Sequence, residues 1–234
     1  MSEGSSSEIN VDIDALPRSV DLVRGPDGAA AFTYLDERLL PYEVRFETTS
    51  DWRVVVDAIK TLAVRGAPAI GIAGAAALAV WASKEGARSA AGHGCACDRD
   101  AFFELMEPVA DEVRSARPTA VNLMWAVDRM KRFARQAAVS SGSSWEIADA
   151  MVEEVLRMED EDIASNRAIG AYGAELLGPG TSVLTHCNAG SLGTVLYGTA
   201  LGVVYTAAGE HPGIQDLGAP QGLADIGRGT VEIF

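Results

Sequence analysis

Lysine is nearly absent from this chain. Lys60, Lys84 and Lys131 stand against 16 arginines and 33 acidic residues in 234, and the formal net charge is -14. A surface of that sign repels phosphate backbones and anionic lipid, which excludes nucleic acid and membrane as general partners. Cysteine is scarce as well, limited to Cys95, Cys97 and Cys187. So small and odd a number argues against a disulfide framework and for a reducing, cytoplasmic setting. The opening MSEGSSSEINVDID has neither a basic start nor an apolar core, so it does not read as a signal peptide. The uncharged run Gly66–Ser83 has the length of a membrane span, but Pro68, its glycines and its alanines point to a closely packed buried helix. What the chain has in quantity is apolar side chains, 48% of residues, enough for a sizeable core.

Residues 1–15 read as a disordered tail. SVDLV and AAFTYLDERLLPYEVRFE alternate apolar and polar residues around the turn signal RGPDG, which predicts a small N-terminal sheet. Helices then dominate. Thr49 or Ser50 is placed to cap DWRVVVDAIKTLAV, whose Trp52, Val55, Ile59 and Leu62 share a face. Pro68 suits the first turn of a helix running to about Glu85, with Gly71, Gly74 and Ala75 on a face that admits a close neighbour. ARSAAGHGCACDRD reads as a loop. AFFELMEPVADEVRSA and AVNLMWAVDRMKRFARQAA are amphipathic, the second with Thr119 as candidate cap. WEIADAMVEEVLRMEDEDIASNRAIGAYGAELL reads as one long helix with Gly170 as a place for a kink. TSVLTH is short and β-branched, and SLGTVLYGTALGVVYTA is helical. Strand, tight turn and helix in that order open a Rossmann-like α/β unit. The expected architecture is therefore α/β: an N-terminal small β-sheet plus helical bundle over 16–178, then a truncated Rossmann-like parallel domain over 179–208. Residues 209–234, rich in Gly and Pro, form an irregular tail.

Three stretches carry the chemistry. Cys187 falls at the end of the expected strand and faces the start of the next helix, where free N–H groups and the helix dipole favour an anion or a thiolate. Gly190 and Gly193 let a ligand approach the backbone, and Asn188 adds a donor. The alternative is a small residue filling a strand-to-helix turn. In VRGAPAIG, Arg65 heads a Gly–Ala–Pro entry into a helix, and a guanidinium beside a helix N-terminus makes an anion site. In ARPTAVNL the same grammar recurs with Arg117, Pro118 and Thr119, and Asn122 is placed to point into the same space. Two such starts suggest one phosphate pocket. The alternative for each is a turn with a solvated arginine. His93, Cys95 and Cys97 lack the second ligand pair that zinc requires, so no metal is expected. His186 neighbours Cys187 but points the other way in a strand, so it is expected to pack behind the sheet. The Gly-rich helix start lacks the dinucleotide pattern G-x-G-x-x-G.

VRGAPAIGIAGAAALAV, RPTAVNLMWAVDRM and LTHCNAGSLGTVLYGTALGVV together closely resemble the methylthioribose-1-phosphate isomerases. These belong to a wider family shared with ribose-1,5-bisphosphate isomerase and the regulatory subunits of a translation-initiation exchange factor. LDERLLPYE is similar to the family's N-terminal segment. The resemblance spans residues 20–204 and implies methionine salvage, the conversion of 5-methylthioribose 1-phosphate to its ketose isomer. It implies that Arg65, Gly66 and Ala67 contact a sugar phosphate, that Arg117 helps hold the phosphate, and that Cys187 is catalytic. It implies no metal or organic cofactor, and a homodimer where the second domain is present. Ribose-1,5-bisphosphate isomerase and a non-catalytic regulatory subunit are the alternatives within the resemblance. Past Val204 the sequence departs from the family pattern. The expected DETRP segment, catalytic aspartate and Asn–Lys pair do not follow, and neither Asp216 nor Asp225 lies in a matching context. The tail from about Tyr205 reads as a reading-frame change or a premature end.

Overall fold

The computed structural model describes residues 17–25, 28–86, 98–141, 143–178 and 181–210. The expected N-terminal tail, the loop carrying His93, Cys95 and Cys97, and residues 211–234 with Asp216 and Asp225 lie outside the described residues.

The N-terminal sheet forms as its alternation predicts. Strand β1 (Val20–Arg24) pairs antiparallel with β2 (Ala30–Leu35) in the register Val20 to Tyr34, and β2 pairs antiparallel with β3 (Phe46–Thr49). Val20, Leu22, Ala30, Phe32 and Tyr34 are all buried on the face toward the helices, the period of two that a half-buried strand requires. Helix α1 (Trp52–Lys60) buries Trp52, Val55 and Ile59, but its cap is Asp51, whose carboxylate accepts from the Arg53 N–H at 2.9 Å, not Thr49 or Ser50. Leu62 falls past the helix end with φ of 65° and is exposed, so it leaves the apolar face it was assigned to.

Helix α2 (Ala67–Trp81) is the spine of the core. Every residue from Ala69 to Trp81 is buried, which explains why it carries no charge. It continues into a π-helical turn (Ala82–Gly86), and together they are long and apolar enough to cross a membrane; 78% of the most apolar window is instead buried inside the protein. Helix α3 (Asp98–Ser115), α4 (Val121–Ser140) and α5 (Ser144–Ala174) pack around it. The expected close approach is present. A Cβ on Gly74 would stand 2.3 Å from Leu123 Cδ1, and one on Gly71 would stand 3.2 Å from the Asn122 carbonyl oxygen. The residue before α4 is Ala120, with no side-chain cap, so Thr119 does not play that part. Ser143 caps α5. The helix runs through Gly170, and that glycine together with Gly173 makes room for the final helix, α6 (Ala200–Glu210): a Cβ on Gly173 would stand 2.5 Å from Val203.

The Rossmann-like opening differs from expectation. Over Thr181–His186 only Val183 makes an isolated bridge, and the predicted helix from Ser191 is a 3₁₀ turn (Ser191–Gly193) followed by coil until Ala200. Among the described residues the only sheet is the antiparallel one, and most of those residues are helical. Two causes are visible. A parallel strand needs a neighbour to satisfy its N–H and C=O groups. Tyr197 and Gly198 hold φ of 84° and 85°, a left-handed pair through which no right-handed helix can run.

Candidate active site

The turn before α2 and the loop around Cys187 meet backbone to backbone. Gly66 has φ of 97°, and a Cβ there would lie 2.3 Å from Gly193 Cα; a Cβ on Gly193 would lie 2.5 Å from the Asn188 carbonyl oxygen. Three stacked backbones at this spacing tolerate glycine alone at the first two positions. The Cys187 loop is tied down from several sides. Ser19 at the start of β1 donates its N–H to the Val195 carbonyl at 3.0 Å, and its hydroxyl donates to Thr194. From α5, the Asp162 carboxylate accepts the Val195 N–H at 2.8 Å. Burial pushes the Asp162 carboxyl upward, and that same hydrogen bond partly offsets the shift.

Cys187 is exposed, with φ of 67°. The helix that receives its loop is α6, not a helix at Ser191. The Ala189 carbonyl accepts from the N–H groups of Thr199 at 2.9 Å and Leu201 at 3.2 Å, so the loop itself satisfies donors at that helix start. A three-residue 3₁₀ turn at Ser191 supplies little dipole to the Cys187 loop, contrary to expectation. His186 is exposed and not packed behind a sheet.

Arg65 and Cys187 are linked through a residue that the sequence did not single out. Glu37, 3% exposed at its side chain, accepts from Arg65 Nε at 2.9 Å and from Asn188 Nδ2 at 3.4 Å, both on Oε2. Its backbone carbonyl accepts Arg65 Nη2 at 3.1 Å. Burial pushes the Glu37 carboxyl up, and the Arg65 guanidinium pulls it partly back. Glu37 lies in LDERLLPYE, so its one signal in the sequence was that segment's similarity to the family. Ala67 opens α2, whose first N–H groups have no carbonyl behind them within the helix. The Arg65–Ala67 turn and the loop that carries Cys187 are therefore brought together.

Arg117 is not joined to them. It occupies the turn between α3 and α4, and among the described residues it forms no hydrogen bond with the Arg65 turn or the Cys187 loop. Its Nη1 is buried without a partner, a cationic donor still to be satisfied. Beside α2 a pocket of about 320 Å³ is lined by Pro68, Gly71, Ile72, Asn122, Trp125, Met158 and Asp162 among others. Pro68 and Asn122 thus share one space, but Arg65 and Arg117 do not line it, so it is not the two-arginine pocket into which Asn122 was expected to point. No group of three metal-ligating side chains stands together among the described residues.

The initiation factor 2 subunit family matches residues 63–214. The chain belongs to that family. It is 44% identical over 173 residues to the methylthioribose-1-phosphate isomerase of Desulforamulus reducens, covering 74% of this chain and 47% of that protein. To the enzyme of the same name from Xanthomonas euvesicatoria it is 45% identical over 174 residues, covering 74% and 45%. The chain thus spans about half the length of the curated relatives it matches. Two solved structures share its fold at a TM-score of 0.67. One is the 5-methylthioribose 1-phosphate isomerase of Pyrococcus horikoshii, 35% identical, covering 83% of this chain and 49% of that one. The other, from A. fulgidus, is described as translation initiation factor eIF-2B, subunit delta, 36% identical, covering 83% and 52%. The family fold is the frame on which the glycine stack and the Glu37 bridge are set.

Proposed function

We propose that the chain acts in the cytoplasm as an aldose–ketose isomerase on 5-methylthioribose 1-phosphate. The meeting of the Arg65 turn with the Cys187 loop through Gly66 and Gly193 carries this reading. The names of the relatives at 44% and 45% identity support it. Phosphate on C1 blocks the free aldehyde, so the sugar ring must open before hydrogen moves from C2 to C1. An acid is required at the ring oxygen and a group near C1 and C2 must manage the transfer. In this reading Arg65 and the backbone at Gly66 and Ala67 contact the substrate, Arg117 helps hold its phosphate from the separate turn between α3 and α4, and Cys187 serves as base or as stabiliser of the developing charge. The step calls for no metal or organic cofactor. Purified protein should convert the aldose ester to the ketose ester, and Cys187→Ser should abolish conversion; unchanged turnover in that variant would refute the assignment of Cys187.

A second reading rests on the A. fulgidus structure, which fits the chain at the same TM-score as the isomerase. In it the chain binds a sugar phosphate without turning it over. Calorimetric binding that weakens in Arg117→Ala, with no conversion in the wild type, would favour it over the enzyme.

A further inference from the structure

We infer that Glu37 is a positioning residue that locks Arg65 and the Cys187 loop into one mutual geometry. Three observations carry this. The carboxylate is buried, so its rotamer is held by packing. It reaches two segments far apart in the chain, Arg65 at 2.9 Å and Asn188 at 3.4 Å. The peptide on its N-terminal side is fixed as well, because the Glu37 N–H donates to the Ala63 carbonyl at 3.0 Å, two residues before Arg65. Asn188 adjoins Cys187, so the one oxygen fixes both the guanidinium and the loop that carries the thiol.

Both side-chain donors converge on Oε2. One acceptor oxygen therefore serves both donors, and we take that oxygen, rather than the ion pair it makes with Arg65, as what sets the geometry. Glutamine supplies that oxygen in the same place. Aspartate withdraws it by one methylene, and alanine removes it. This yields an ordering that simple loss of a buried ion pair would not: Glu37→Gln close to wild type, Glu37→Asp and Glu37→Ala impaired.

Two readouts test the idea. The first is the rate at which iodoacetamide alkylates Cys187, measured in a Cys95→Ser, Cys97→Ser background so that one thiol reports. It does not depend on what the protein catalyses. Glu37→Ala should change that rate several-fold, Glu37→Gln should restore it, and Asn188→Ala, which frees only the loop, should reproduce the Glu37→Ala value. The second rests on the proposed isomerase reading: kcat/KM should fall about a hundredfold in Glu37→Ala, with kcat taking the larger share because Cys187 is misplaced, and recover in Glu37→Gln. Circular dichroism of each variant reports folding, and Asn188→Ala keeps the test open if Glu37→Ala does not fold. Alkylation rates in Glu37→Ala and Asn188→Ala within about twofold of wild type would overturn the inference, as would a Glu37→Gln protein that behaves like Glu37→Ala. A wild type with no isomerase activity would refute the functional reading alone, and the alkylation series would still decide on Glu37.

Discussion

Replacing Glu159 by glutamine should remove much of the fall in stability with rising pH. Glu159 lies in α5 with its side chain fully buried beneath β1, where Oε1 accepts the Leu22 N–H at 2.7 Å and Oε2 stands 3.2 Å from Arg18 Nη1. Burial pushes its carboxyl from an ordinary 4.5 to about 8, and the Leu22 N–H offsets only part of that rise. In the unfolded chain the group ionises near its ordinary value. Between those two values the folded form therefore binds more proton than the unfolded one. The stability this group contributes is complete below 4.5 and is lost as pH climbs toward 8, at about 1.4 kcal/mol per unit. From roughly pH 5 to pH 8 the loss is about 3 kcal/mol. Glutamine keeps the acceptor for Leu22 and never ionises, while Arg18 retains Asp21 at 2.8 Å. Urea unfolding of both proteins at the two pH values isolates the term, because the self-repulsion of a chain with net charge -14 is common to both. The wild type should lose about 3 kcal/mol relative to Glu159→Gln. Parallel pH curves for the two proteins would refute the reasoning, and with it the claim that this carboxyl is held protonated at neutral pH.

Other perturbations follow from the same geometry. Gly66→Ala puts a methyl group 2.3 Å from Gly193 Cα at a φ of 97°, so unfolding measurements should show a loss of about 3 kcal/mol, and under the proposed isomerase reading turnover should vanish with it. Asp51→Ala removes the cap of α1 and should cost about 1 kcal/mol in the same assay, whereas Thr49→Ala and Ser50→Ala should cost less. Asp162→Ala leaves the Val195 N–H without its acceptor; a loss of about 1–3 kcal/mol is expected, together with faster hydrogen exchange at Val195. Arg117→Ala should weaken binding of inorganic phosphate, measured by calorimetry, while leaving the melting temperature close to wild type, since its Nη1 has no partner among the described residues.

Where the fold was legible, a short period carried the information. Alternation in SVDLV and AAFTYL gave two strands, and the unbroken apolar run from Ala69 gave a helix buried on all sides. The misreadings are of two kinds. Caps depend on the backbone angles of one residue, and Thr49, Ser50 and Asp51 are all competent, so the sequence could not choose among them. The TSVLTH run fails for a different reason: a strand is a cooperative object, and β-branched residues without a paired neighbour among the described residues do not make one. The helix after it was hidden by composition, because LYGTALGVV keeps an apolar character across the left-handed pair Tyr197 and Gly198.

The site divides along the same line. Arg65 and Cys187 stood out because a turn, a helix start and a nucleophile are local patterns, while Gly66 and Ala67 came from the family resemblance. Glu37 was not, because its side-chain partners lie 28 and 151 residues away in the chain. A carboxylate flanked by Asp36 and Arg38 in LDERLL is as consistent with a solvated edge as with a buried acceptor. Only the fold decides, by taking the side chain to 3% exposure and bringing two donors to one oxygen. Motif residues can be picked out locally; the groups that hold their segments together cannot. Their exchange is therefore the sharper test of the structure. Glu37→Gln and Glu37→Ala differ by a single acceptor that no local pattern in the sequence requires, and the geometry alone predicts that the two variants part company.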